Sequence, residues 1–154
     1  MKWIKTNTCF FLFTFTRGIS AFNFNNNHID LFKYRSFYRK RYKALKQYTN
    51  YVEDHHCIPK QWRDHNLLET LDFDVNCSNN LIIMPNKIGK KKLNLHPDTL
   101  VHQGGHAKYN IYVKENMDEI SEKSTMDDKK YEFWLFLNHL KKNMKTNPDN
   151  IPWK

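Results

Sequence analysis

Asp54-His55-His56-Cys57-Ile58-Pro59 and Asn79-Asn80-Leu81-Ile82-Ile83-Met84-Pro85 each carry a short apolar, β-compatible run that stops on a proline. Runs of this length bounded by turn residues read as short strands, one over His55 to Pro59 and one over Leu81 to Pro85. The connection from Lys60 to Asn79 has room for a helical turn around Gln61 to Leu71.

Upstream, Leu31, Tyr34, Tyr38, Tyr42, Leu45, Tyr48 and Val52 recur at steps of three and four, the helical period, and predict an amphipathic helix with its aromatics turned inward. Lys33, Arg35, Arg39, Lys40, Lys43 and Lys46 lie largely off that stripe. They form either a phosphate-binding face or an ordinary solvated one. Downstream of Pro85, Lys87-Ile88-Gly89-Lys90-Lys91-Lys92 reads as a basic glycine-containing loop. A helix is expected within Thr99 to Met117, starting near Gly104 and Gly105, because each glycine costs about 1 kcal/mol inside a helix. Thr125 with Asp128 suggests a capped start for a last helix, whose stripe Phe133, Leu137, Leu140 and Met144 reads as core. The tail from Thr146 carries two prolines and reads as an extended end.

The chain of 154 residues is long enough for one compact core, and 40% hydrophobic content speaks against wholesale disorder. The expected division is a 1–27 apolar segment and linker, one domain over 28–145, and a 146–154 tail. A formal net charge of +9 favours a polyanionic partner. Cys9, Cys57 and Cys77 lack C-x-x-C spacing, which argues against a zinc ribbon, while Cys57 and Cys77 remain if the first segment is cleaved off and could then pair in an oxidising compartment. Lys2 and Lys5 precede the apolar run Cys9 to Phe15, with Ala21 placed like a cleavage site. The run is too short to span a bilayer and is either a secretory signal or part of the fold. Secretion follows in the first case, an intracellular location in the second.

The histidines are not scattered. His55 and His56 adjoin, and His102 and His106 have H-x-x-x-H spacing, which on a helix brings two imidazoles to one face. With a third ligand from a neighbouring strand such a pair can hold a divalent ion and leave positions open for water and substrate. His28, His65 and His139 lack such company and read as surface or packing residues.

In order along the chain, the His-His-x-x-Pro run, the asparagine-led strand, and His102-Gln103-Gly104-Gly105-His106-Ala107-Lys108-Tyr109 resemble the HNH/endonuclease VII superfamily, and within it the AHH-type nucleases. The toxin domains of nuclease colicins look similar. The resemblance covers about Asp54 to Val113 and implies an α+β fold, in which a ββα-metal finger, a short β-hairpin plus a helix carrying the metal site, is embedded among helices. It implies His56 as general base, Asn80 as the residue orienting it, with Asn79 as fallback, and His55, His102 and His106 as metal ligands. A rival register makes Asp54 the ligand and His55 the base but misplaces Pro59. The stretch from Asn80 to Val101 is longer than is usual in the family and brings in His96 as a substitute for His102, although Pro97 argues against a helical position for it. Tyr109 is either a site residue or helix packing.

The implied activity is metal-dependent endonucleolytic hydrolysis of DNA, ahead of RNA, with one divalent ion (zinc, nickel, manganese or magnesium). Arg35, Arg39, Lys43, Lys90, Lys91 and Lys92 are the candidate nucleic-acid contacts. The rival is a basic zinc-stabilised module that binds nucleic acid without cutting, which leaves His56 without a purpose. Stable membrane association is not expected, because the basic helix carries tyrosines rather than a large aliphatic face. An inhibitor or immunity partner and the oligomeric state are not legible.

Overall fold

The computed structural model describes residues 30–153. The N-terminal apolar run, Cys9 and His28 lie outside the described residues. Strands β1 (Val52–His56) and β2 (Leu81–Pro85) pair antiparallel, with His55 opposite Ile82 and His56 opposite Leu81. Strand β2 falls where the apolar run predicts it. Strand β1 begins and ends three residues earlier than predicted, because the Ile58 N–H is taken by the Asn80 side chain at 2.7 Å rather than by a strand partner. Cys57 to Pro59 leave the sheet, and Pro59 opens a 3-10 turn over Lys60–Trp62.

The predicted amphipathic helix is shorter than its periodicity, and its faces are reversed. Helix α1 spans Phe37–Leu45, started by Ser36, whose side chain accepts from the Arg39 N–H. Tyr38, Tyr42 and Leu45 are exposed, whereas Arg39 is buried. The cause is Asp54, whose carboxylate takes the Arg39 Nε at 2.7 Å and the Lys43 Nζ at 3.0 Å. An unpaired carboxylate at that depth costs more than exposed aromatic rings, so charge pairing overrides the apolar stripe.

Helix α2 (Asn66–Thr70) lies within the predicted helical turn and buries Leu67 and Leu68. The segment read as a basic loop is helix α3 (Lys87–Lys92), capped by the Asn86 side chain, which accepts from the Gly89 N–H. Gly89 packs directly on the backbone before β1, where a Cβ would stand 1.8 Å from the Tyr51 carbonyl oxygen. Gly89→Ala is therefore expected to lift α3 off the hairpin and lower unfolding free energy by about 1–3 kcal/mol. Urea unfolding with an unchanged midpoint would refute that close approach.

Helix α4 (Ala107–Ser121) starts just past the two glycines, with Gly104 in the left-handed region at φ 67°. Its buried face, Tyr109, Val113 and Met117, repeats every four residues. Helix α5 (Met126–Thr146) starts as predicted at Thr125, which accepts from the Asp128 N–H at 3.1 Å, and buries Phe133, Leu137, Leu140 and Met144. These helices, with α2 and β2, enclose the core. The tail is not a plain extended end: after a 3-10 turn at Pro148–Asn150, Ile151 and Trp153 are buried in that core. Cys57 and Cys77 are free thiols. No helix among the described residues is long and apolar enough to cross a membrane.

Candidate active site

Strand geometry sends neighbouring side chains to opposite faces, and this divides the two adjacent histidines. His55 turns toward α4, with its ring centre 5.3 Å from that of His102 and 5.8 Å from that of His106; the last two are 6.4 Å apart. His56 belongs to a different environment. Its ring meets Tyr34 edge-on at 4.6 Å, and its Nε2 lies 3.3 Å from the Asn76 Oδ1.

The three imidazoles meet for a reason other than helical spacing. His102 is not in a helix: its backbone N–H donates to the Pro85 carbonyl at 2.8 Å, which ties it to the end of β2. Its ring Nδ1 sits 2.7 Å from the Glu53 carboxylate. His106 is the residue before the first turn of α4, and no side-chain cap bond occupies it. The Gly104-Gly105 turn brings these two rings to His55.

Nε2 of both His55 and His106 is buried without a hydrogen-bond partner. Two orphaned imidazole nitrogens beside a third ring are what a metal ligand set requires, since each must present a lone pair. A tetrahedral ion bound at about 2.0–2.1 Å would place ring centres roughly 5 Å apart, so the widest pair would close by about an ångström. As they stand, no three His, Cys, Asp or Glu side chains among the described residues are disposed to hold a metal ion.

Burial, and then the neighbouring histidines, pull the His55 pKa down to about 3. Burial also lowers His106, against a hydrogen bond to the Trp153 backbone that raises it. Both rings are therefore neutral at pH 7, the form that can ligate a metal. For His56, burial brings the pKa to about 4, with the Asn76 hydrogen bond opposing and Lys60 adding to the fall. The Asn76 oxygen can only accept, so Nε2 carries the hydrogen and the lone pair falls on Nδ1. A neutral ring in a fixed tautomer is the form that accepts a proton from water.

The remaining candidates divide sharply. Asn80 is fully buried and does not reach His56: its Oδ1 accepts from Ile58, while its Nδ2 donates to the carbonyls of Ile58 at 2.9 Å and Val75 at 2.8 Å. The asparagine side chain that meets His56 is that of Asn76. Asp54, the ligand of the rival register, is engaged by Arg39 and Lys43. His96 is exposed beside Asp98, apart from the histidine cluster. Tyr109 is buried, and its hydroxyl donates to the Cys57 carbonyl, which fixes the exit of β1. His65 caps α2, and His139 bonds Asn143.

Arg39 and Lys43, read as nucleic-acid contacts, are instead paired with Asp54, and the Lys90 Nζ donates to the carbonyls of Pro97 and Thr99. Arg35, Lys91 and Lys92 stand exposed. A cleft of about 340 Å³ beside β1 is bordered by Tyr34, Arg35, Lys40, Glu53 and His102. A second, of about 530 Å³, follows α3 with Lys87, Lys91, Val101 and Gln103 on its walls. His102 borders the first cleft, which also holds Glu53 and Asp54, and Val101 and Gln103 border the second, which holds three lysines and no carboxylate.

Two parts of the site carry no local sequence signal. Trp153 stacks on His106 at 3.9 Å between ring centres and stands 5.1 Å from His55, closing the cluster from the far end of the chain. Lys60 lies 3.6 Å over the Tyr34 ring, next to His56.

A histidine-rich hairpin beside clefts that carry Arg35, Lys40, Lys87 and Lys91 suits an enzyme that works on phosphodiesters. The AHH family model, described as a nuclease family of the HNH/ENDO VII superfamily with conserved AHH, matches residues 39–144. The chain belongs to this nuclease family, and nucleic acid is its substrate class. The match runs from α1 into the last turn of α5, beyond the window in which the motifs are legible, and Trp153 lies outside it. The family motif reads AHH, whereas the chain's single His-His pair follows Asp54. No curated protein and no solved structure matches the chain.

Proposed function

We propose that the protein is a metal-dependent endonuclease, with DNA the substrate to test first, in which β1, β2 and α4 form a ββα-metal unit. The observation that carries this reading is the pair of buried, unpartnered Nε2 atoms on His55 and His106 beside the ring of His102. His55, His102 and His106 would hold one divalent ion. Imidazole ligation suits zinc or nickel better than magnesium. Bound there, the ion supplies Lewis acidity for the charge that develops on the phosphoryl and departing oxygens.

The chain's own residues supply the rest. His56 takes the proton of the attacking water on Nδ1, while Asn76 holds the opposite nitrogen protonated. Glu53 accepts from His102 Nδ1 and so leaves its Nε2 for the ion. Because His55 and His56 face opposite sides of β1, the scissile phosphate lies across the edge of the hairpin. Lys60, Arg35 and Lys40 stand near that edge to meet flanking phosphates. A purely structural metal site would leave the separate, tautomer-fixed environment of His56 without a role.

The test is incubation of purified full-length chain with plasmid DNA, and separately RNA, against a panel of divalent ions and a chelator. Cleavage appears with ion and vanishes with chelator. An undiminished rate in chelator would sink the assignment of His55, His102 and His106.

A further inference from the structure

We propose that the exposed aromatic cluster formed by Phe32 and the start of α1 is a stacking platform for unpaired nucleobases, so that the chain takes a single strand alongside its histidine site. This rests on the nuclease reading and names the substrate form. Residues 31–52 hold seven Lys or Arg, seven aromatics and no Asp or Glu. Among the described residues the ion pairs with Asp54 turn Arg39 and Lys43 inward and leave the rings outside. Phe32, Phe37 and Tyr38 are 46%, 67% and 47% exposed, yet they touch one another, with Phe37 and Tyr38 5.6 Å and Phe32 and Tyr38 6.2 Å apart between centres. Exposed Lys33, Lys40 and Arg41 alternate with them.

Rings interleaved with cations match a strand that offers a base face and a phosphate at each step, which a duplex does not because its base faces are stacked. A second copy of the chain is a poor occupant, since five exposed like charges, Lys33, Arg35, Lys40, Arg41 and Lys46, would meet five. A membrane surface is poorer too, because the nine-residue helix has no broad aliphatic face. The cleft bordered by Tyr34, Arg35 and Lys40, in which the charge of Asp54 is met by Arg39 and Lys43, continues to Glu53 and His102, which gives a bound strand a path to the site.

The test is equilibrium binding of the full chain, in chelator so that nothing is cut, to a fluorescent single-stranded oligonucleotide, its duplex, and an abasic strand of equal charge. The wild type binds the single strand most tightly. Phe37→Ala/Tyr38→Ala weakens single-strand binding by about tenfold or more. It leaves abasic binding and the melting temperature unchanged. Phe37→Leu/Tyr38→Leu, which keeps apolar area and removes the rings, weakens it similarly. Equal losses on the abasic strand overturn the proposal, as does binding of the duplex as tight as that of the single strand. A lower melting temperature with unchanged affinity also overturns it, since the rings are then covered by the chain itself. Because each oligonucleotide is checked intact on a denaturing gel after titration, binding is read without cleavage whichever way the ion dependence falls, and failure of the stacking leaves the metal-dependent activity intact.

Discussion

His56→Ala is expected to lower the cleavage rate by at least about 10²-fold, the contribution usual for a general base, while leaving ion affinity and nucleic-acid binding within a few-fold of the wild type. The expectation follows from the division of the two adjacent histidines. His56 contacts Tyr34 and Asn76, whereas His55 contacts His102, His106 and Trp153. His106→Ala should fail differently, losing ion binding and activity together. It should also lose the ion-dependent rise in melting temperature, since whatever binds only the folded state stabilises it. Titration calorimetry with zinc, set beside single-turnover cleavage, separates these outcomes. If His56→Ala lost the ion while His55→Ala kept it, the roles of the two residues would exchange.

The same pair shows what a sequence can carry. The order His-His-x-x-Pro, asparagine-led strand and H-x-x-x-H-x-x-Tyr was enough to expect an α+β nuclease fold, and the family match agrees. The physical reason for the third block was not legible. Four-residue spacing suggests a helical face, but Gly104 and Gly105 break the helix, and His102 owes its position to a backbone bond with Pro85 and a ring bond with Glu53. Both are contacts between segments far apart in sequence, which no local period records. The reversed faces of α1 have a similar origin. Periodicity reports which residues are apolar, not that Asp54, eleven residues beyond Lys43, draws two cations inward. Trp153 was invisible for the most basic reason: a tail residue reaches the site only through the completed packing of α5.

Asn80→Ala is expected to cost about 3–5 kcal/mol of folding free energy, a large share of the roughly 5–15 kcal/mol typical of a domain. The side chain is fully buried and makes three hydrogen bonds, one to the Ile58 N–H and two to the carbonyls of Ile58 and Val75. Its own backbone carbonyl accepts from Cys57 at 2.8 Å, so both ends of the residue hold the segment leaving β1. Alanine leaves three buried backbone groups unpaired, each costing about 1–3 kcal/mol, partly offset where water enters. Asn80→Asp gives no rescue, because a carboxylate cannot donate to either carbonyl and buries a charge. Asn76→Ala is the informative comparison. Asn76 is half-buried and its side chain meets His56, so its loss should spare stability and reduce cleavage by freeing the imidazole tautomer. Urea unfolding beside cleavage rates distinguishes the two asparagines. If Asn80→Ala kept the unfolding midpoint of the wild type and lost only activity, Asn80 would act on the chemistry rather than on the turn that positions His55 and His56.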